Sequence, residues 1–251
     1  MPAQGGYGRI RLFHDFQGPE IPVANAVAYG TSAGGCNYYI GDFSLKGDLA
    51  QTDAGLVSLS KASGYGRLGG DNQDGKGAAI CTEICFSPVL NGPMAVECRL
   101  ERAALTAGVT FVGFCGTAAD DIAEPVTSTG TTHTLVATDL CGFLLDSQLT
   151  ASDGLWHTVY AGGATTGPTL STTNETTKTA ILAESDIVRL EIDPNGTARF
   201  YINGDLERTV EGAVSTTALQ AALVGIWGTT TTAASVDLDY FAVEANRDWT
   251  R

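Results

Sequence analysis

The chain has 251 residues, 43% of them hydrophobic, and carries 28 Asp and Glu against 14 Lys and Arg, a formal net charge of −14. That balance excludes nucleic acid as a direct partner, because neutralising phosphates takes clustered cations. No run approaches the ~18 apolar residues of a membrane-spanning helix, and the opening MPAQGGYGRIRLF has no apolar leader core, so the expectation is a chain with no membrane partner, made in a cytoplasm.

Residues 1–9 are small, polar and glycine-rich and read as a flexible arm. IRLFHDF (10–16) alternates apolar and polar positions as a first strand. Residues 16–35 are irregular, and 38–43 and 55–59 are short strand candidates. SGYGRLGGDNQDGKG (63–77) reads as a loop dense in glycine and aspartate. Residues 78–86 form a strand, closed by Pro88 and Asn91-Gly92-Pro93. MAVECRLERA (94–103) alternates with Val96, Cys98 and Leu100 inward, and VTFVGFC (109–115) is apolar throughout, as in a strand buried on both faces.

A Thr-rich polar connection spans 116–138. Strands follow at 139–146 and 156–161, and then a Thr/Gly-rich loop at 162–180. DIVRLEIDPNGTARFYINGDLERTV (186–210) is the clearest pattern: three alternating runs joined by Asn195-Gly196 and Asn203-Gly204. The first pair is expected to form the hairpin turn in which both central residues have φ > 0. TTALQAA (216–222) suggests one or two helical turns, and strands at 223–227 and 236–243 precede a polar tail. About a dozen strands, no strong helix, no linker and no repeat predict one all-β, two-sheet antiparallel sandwich over 10–245, with an arm at 1–9 and a tail at 246–251.

Cysteines stand at 36, 81, 85, 98, 115 and 141. Cys98 and Cys115 sit in apolar runs, so free thiols are expected. Period-two geometry would put Cys81, Glu83 and Cys85 on one face, but a lone Cys pair is not a zinc site.

Three pieces carry a resemblance: VECRLERA with VTFVGFCG, the 186–210 meander ending in YINGD, and the closing VDLDYFAVEA. Together they resemble the concanavalin-A-like lectin/glucanase jelly roll and its laminin-G-like relatives over residues 94–245. That resemblance implies the jelly-roll sandwich, with the first strand pairing near the last. The acidic Thr/Gly/Ala-rich body and glycine-rich arm also resemble sandwich domains of tailed-phage virion proteins, such as head decoration proteins and fibres.

Retaining glucanases of this fold carry Glu-x-Asp-x-x-Glu on one strand. Here Glu191-Ile192-Asp193 begins the spacing, but Gly196 stands at the second Glu and a turn intervenes. A glycosidase needs both carboxylates, so no catalytic residue is assigned and the chain reads as a non-enzyme. Asp71 and Asp74 in DNQDG offer oxygens of a calcium-compatible kind, without the later bidentate Glu of a calcium loop; no cofactor is assigned. His14, His133 and His157 stand in unrelated segments. Trp156 and Trp227 read as core. Tyr7, Arg9, Arg247, Trp249 and Arg251 are the candidate partner-binding residues, because aromatic and arginine side chains in polar end segments suit an interface. The expected function is a virion structural protein, a capsid decoration or cement protein contacting the major capsid protein or neighbouring subunits, itself a dimer or trimer. The alternative is a carbohydrate-binding or fibre-type lectin-like module, and a glycoside hydrolase ranks below both.

Overall fold

The computed structural model describes residues 8–18, 38–47, 55–102, 104–119, 122–150, 154–229 and 233–248. In chain order the strands are β1 (Arg9–His14), β2 (Tyr38–Ile40), β3 (Phe43–Gly47), β4 (Gly55–Leu59), β5 (Tyr65–Gly69) and β6 (Gly77–Cys81). After a one-turn helix α1 (Pro88–Asn91) come β7 (Met94–Arg102), β8 (Val109–Cys115), β9 (Val126–Thr129), β10 (Thr132–Leu135), β11 (Leu140–Asp146) and β12 (Leu155–Ala161). A 3₁₀ turn (Ser171–Thr173) leads to β13 (Glu175–Thr179), β14 (Ser185–Ile192), β15 (Ala198–Ile202), β16 (Asp205–Val210), β17 (Ala221–Trp227) and β18 (Ser235–Asn246).

Two antiparallel sheets stack as a sandwich. One runs β16-β15-β14-β7-β18-β5-β4, with β1 also paired to β18; the other runs β13-β12-β11-β8-β17-β6-β3-β2. The twelve-residue β18 lies along β7 on one side. Its other side takes β5 over residues 235–238 and β1 over residues 241–246. The register shifts between Leu238 and Tyr240, leaving Asp239 as a bulge whose carboxylate accepts from Arg99 at 2.6 Å. The first strand therefore does pair with the last.

Period-two alternation dictates the core. Val96, Cys98 and Leu100 of β7 point inward with Val188, Leu190 and Ile192 of β14, meeting Val112, Phe114, Phe143 and Val224 of the facing sheet. Trp156 is fully buried, edge-on to Phe143 at 6.1 Å, and its indole N–H donates to Asp186 at 3.0 Å. Phe143 meets Phe200 edge-on at 5.4 Å, a favoured aromatic geometry.

The turns of the meander divide differently from expectation. At Asp193–Thr197 only Gly196 has positive φ (+79°), with Gly196 N–H donating to Asp193 O at 2.9 Å. This is a tight turn followed by a single left-handed residue. Pro194 fixes φ negative ahead of it and draws the chain away from the paired-positive form. Asn203 and Gly204 both have positive φ (54° and 87°) and join β15 to β16 directly, so the paired-positive hairpin turn is here.

Other expectations are corrected. Residues 63–77 contain β5, because Tyr65 and Leu68 reach the core while Gly66 lets the Phe16 ring approach. Residues 116–138 contain the β9–β10 hairpin, and 162–180 contains β13. Residues 216–222 form no helix; Gln220 bridges to Phe86, and Ala221 and Ala222 pair with Cys115 and Phe114, so tertiary pairing overrides alanine's helix propensity. The strand of residues 78–86 ends at Cys81, which is buried, and Cys85 is exposed rather than on the same buried face. Arg9 and Asn246, expected in the arm and the tail, are paired as the ends of β1 and β18; residues 1–7 and 249–251 lie outside the described residues.

Candidate functional site

The outer faces of the two sheets differ sharply. On the β8–β11–β17 sheet that face is roofed. Phe111, Leu144, Val159, Leu223 and Trp227 are covered by Ala118, Ile122, Val126 and Ala137 in a second apolar core. The Trp227 indole N–H donates to Ile122 O at 3.0 Å and Lys46 Nζ to Ala118 O at 2.8 Å. His133 N–H donates to Thr169 O at 2.9 Å, tying the hairpin to the following loop.

A polar island lies beneath this roof. Asp146 ends β11, and His157 on β12 pairs with Leu144 two residues away. His133 stands edge-on to His157 at 5.4 Å, and Ser128 Oγ lies 3.0 Å from His133 Nδ1. Ser128 also faces Asp146, whose carboxyl is raised by burial. Burial, then the Asp146 and Asp74 charges, pushes Glu124 up to about 8. Burial and His157 bring His133 down to about 4. Perturbed carboxylates and imidazoles in one place are the usual mark of a working site. Here, however, Asp146 is 1%, His133 2% and His157 0% exposed. Ser128 also stands between the acid and the imidazole, so the order a nucleophilic relay needs (acid, imidazole, hydroxyl) is not met. The island holds the roof down; it does not meet solvent.

The outer face of the other sheet is open and charged. Arg189 donates to Glu191 at 2.8 Å and Glu97 at 3.1 Å and pairs with Glu244 at 3.8 Å. Tyr240 donates to Glu97 at 2.7 Å, while burial and that carboxylate push its phenol up. Phe13 stacks on Tyr240 at 5.9 Å and 27°, and is 58% exposed. A cavity of about 410 Å³ lies here, lined in part by Arg189, Glu191, Tyr201 and Tyr240. Asp193 accepts two bonds from Arg199 at 2.9 and 2.6 Å, and that arginine holds its carboxyl below the usual range. Asp193 is thus paired one-to-one with Arg199, while Glu191 shares Arg189 with Glu97 and Glu244. No second carboxylate follows at Gly196, so the arrangement lacks the paired acids of glycoside hydrolysis.

The third feature is the corner where the chain's two ends meet. Arg9 pairs with Asn246, and Arg247 N–H donates to Gly8 O at 3.1 Å. A cavity of about 550 Å³ opens there, walled by Arg9, Arg11, Met94, Arg189, Glu244 and Asn246. Among the described residues, Arg9 and Arg247 are the two cations whose side chains make no hydrogen bond or ion pair. The structure therefore brings together Arg9 and Arg247, which the sequence picked out separately. Tyr7, Trp249 and Arg251 lie outside the described residues. Asp71 is buried, whereas Asp74 is exposed and accepts weakly from Gln148 Nε2 at 3.5 Å. No group of three or more His, Cys, Asp or Glu among the described residues is placed to hold a metal ion. Sequence reasoning missed the His133–His157 meeting and the roof; the apolar Ile122, Val126, Leu135 and Ala137 within the Thr-rich stretch were the signal.

No family model matches the chain, and no curated protein is significantly similar to it. Among solved structures, the Bacillus licheniformis β-glucanase superposes with a TM-score of 0.52 at 12% identity, over 96% of this chain and 98% of that one. Peanut lectin gives 0.53 at 10%, over 95% and 97%. A Shewanella oneidensis protein of unknown function gives 0.53 at 12%, over 97% and 89%. These similarities define the class: a concanavalin-A-like jelly-roll sandwich. At such identity they speak to the fold alone, and nothing in them links the chain to phage virion proteins.

Proposed function

We propose that this chain is a non-catalytic docking module, a virion decoration protein that attaches through its end segments. The observation that carries the reading is the β1–β18 pairing. It places Gly8, Arg9 and Arg247 at one corner, so the two segments expected to grip a neighbour leave the sandwich side by side. Among the described residues one sheet face is roofed, and on the other Arg189 bonds to Glu97 and Glu191 and Arg199 to Asp193, which suits a surface that docks. Co-sedimentation of the full chain with heads assembled from tailed-phage major capsid proteins tests the reading. Binding that is lost on deleting residues 1–8 supports it; no binding by the full chain overturns it.

A second reading, recognition of a glycan, is favoured by one observation. The exposed Phe13 stacked on Tyr240, with Tyr201 and Glu191 nearby, offers an apolar platform rimmed by polar groups, and a sugar ring presents matching faces. A glycan array with and without Ca²⁺, repeated on Phe13→Ala, tests it; hits that persist in the variant place recognition elsewhere.

A further inference from the structure

We propose that the open outer face of the β16-β15-β14-β7-β18-β1 sheet is the contact of a two-fold dimer, its occupant a second copy of this chain. The inference stands apart from the docking reading, which concerns the end segments, and competes with the glycan reading for the Phe13–Tyr240 platform.

The first ground is a row of side chains that the strand registers lay straight across the sheet. Phe13 of β1 pairs with Ala242 of β18, Ala242 with Glu97 of β7, and Glu97 with Arg189 of β14. Arg189 pairs in turn with Tyr201 of β15, and Tyr201 with Leu206 of β16. Cross-strand partners share a face. Phe13 stacks on Tyr240, and Tyr240, Glu97, Arg189 and Tyr201 line one open cavity, so this row lies on the outer side. The row is apolar at both ends, where Phe13 is 58% and Leu206 54% exposed. Its middle is the Glu97–Arg189 ion pair at 3.1 Å. The seam between β7 and β14 divides the row evenly, with β18 and β1 beyond β7 and β15 and β16 beyond β14.

The second ground is that the row is its own complement. A two-fold axis along the β7–β14 seam lays Glu97 over Arg189 of the second copy, Tyr201 over Ala242 and Phe13 over Leu206, each contact made twice, as an isologous interface requires. The adjoining row reads Arg11, Glu244, Ala95, Glu191, Arg199, Thr209 from β1 to β16. There the same axis lays Glu244 over Arg199. In neither row do like charges meet. The chain is at −14, yet in these two rows Arg11, Arg189 and Arg199 stand against Glu97, Glu191 and Glu244, so two copies bring no net charge together here. A wholly basic or wholly acidic partner finds no such match. Sheets stack face to face about 10 Å apart and within about 30° of alignment, which keeps the rows in register best at the centre, where the ion pairs are. Six strands about 4.8 Å apart, along the nine residues of β7, give a face on the order of 700 Å². A stable interface buries ~800 Å² per partner and favours Arg, Tyr and Phe, the side chains found here.

The test is sedimentation velocity of the full chain from about 1 to about 100 μM, where a dimer that grows with concentration is expected. Phe13→Asp/Leu206→Asp, at two exposed positions, is expected to weaken it about tenfold or more with an unchanged urea midpoint. Glu97→Arg and Arg189→Glu are each expected to be monomeric alone and to form a dimer when mixed in equal amounts, because only the mixed pair sets arginine over glutamate at both central contacts. A wild-type chain that stays monomeric at the highest concentration overturns the inference. So does a dimer undiminished in Phe13→Asp/Leu206→Asp, or a mixture of folded charge variants that stays monomeric. If either charge variant lacks a cooperative urea transition, the Phe13→Asp/Leu206→Asp result decides alone. Capsid co-sedimentation that survives in that monomeric variant leaves the docking reading intact, and a dimer that binds no capsid leaves this inference intact.

Discussion

Arg67 donates twice to the Asp237 carboxylate, at 2.7 and 3.0 Å, from adjacent paired positions of β5 and β18. Lys61 reaches the same carboxylate at 2.8 Å and Glu101 at 2.8 Å, so one buried anion gathers two half-buried cations across three strands. Asp237→Asn keeps the shape and removes the charge. The expected cost is about 2 kcal/mol, set by lost charge-assisted bonds and softened because water reaches both cations. Urea denaturation of the variant checks this; a midpoint unchanged within error would show that the cluster contributes specificity without stability.

The polar island under the roof gives a pH dependence with a definite sign. Glu124 is raised to about 8 in the fold, so between its unfolded value near 4.5 and about 8 the unfolded chain binds fewer protons, and stability falls as pH rises. Asp146, also raised, acts in the same direction. His133, lowered to about 4 from 6.5, acts oppositely: its contribution is present above 6.5 and is lost as pH falls toward 4. The two largest effects offset each other between about 4.5 and 6.5, leaving a decline from about 6.5 to 8. Glu124→Gln should flatten that decline and expose a rise with pH below 6.5. Melting temperatures at half-unit steps from pH 4 to 8.5 decide it, and an unchanged profile in the variant would remove Glu124 as the source.

The hairpin turn at Asn203-Gly204 and the strand glycine Gly77 separate two costs of an added methyl. At Gly204 nothing lies within 4 Å of a Cβ, so Gly204→Ala pays only for left-handed backbone, about 1 kcal/mol. At Gly77 a Cβ would overlap the Ile226 carbonyl and the Trp227 backbone in the neighbouring strand. Gly77→Ala must push β6 from β17 and should cost about 3 kcal/mol. Equal chemical-denaturation penalties for the two would contradict the packing described.

Thiol chemistry should follow burial. Cys81, Cys98, Cys115 and Cys141 are buried, and burial raises each thiol; partial burial and Glu83 raise Cys85 as well, but that residue is exposed, so access sets the difference. In the native protein, Cys85→Ser should remove one fast-reacting equivalent in an aromatic-disulfide titration, whereas Cys98→Ser should leave the fast phase unchanged and lower only the total seen in denaturant.

The parts of the fold that sequence revealed are those with one wet face. Residues 94–102 and the 186–210 meander alternate because one side of their sheet meets solvent; Val96, Cys98, Leu100, Leu190, Ile192, Ala198, Phe200 and Ile202 are buried, whereas Ile187 lies on the open face and Leu206 is exposed. β5, β9 and β13 stayed hidden because glycine and threonine there answer to a neighbouring strand rather than to any local pattern: Gly66 admits the Phe16 ring, and Thr176 Oγ1 donates to Trp156 O at 2.8 Å. The docking corner was half legible. Arg9 and Arg247 stood out as cations of the end segments, but their adjacency depends on β1 and β18 pairing, a relation between the two extremes of the chain. The His133–His157 contact was invisible for a similar reason, since it forms only when β10 folds back over β12.

The position of β17 and β18 within their sheets has a consequence for how the chain reaches this state. β17 lies between β8 and β6, and β18 between β7 and β5, so both sheets remain split until residues 221–246 are available. A nascent chain emerging from the ribosome therefore holds four unfinished part-sheets with open edges, each a template for pairing with another molecule. Completion requires contacts far apart in sequence, such as Leu238 with Gly66, and their loop-closure entropy makes the step slow. A stop codon before residue 221 should yield aggregate rather than a smaller sandwich.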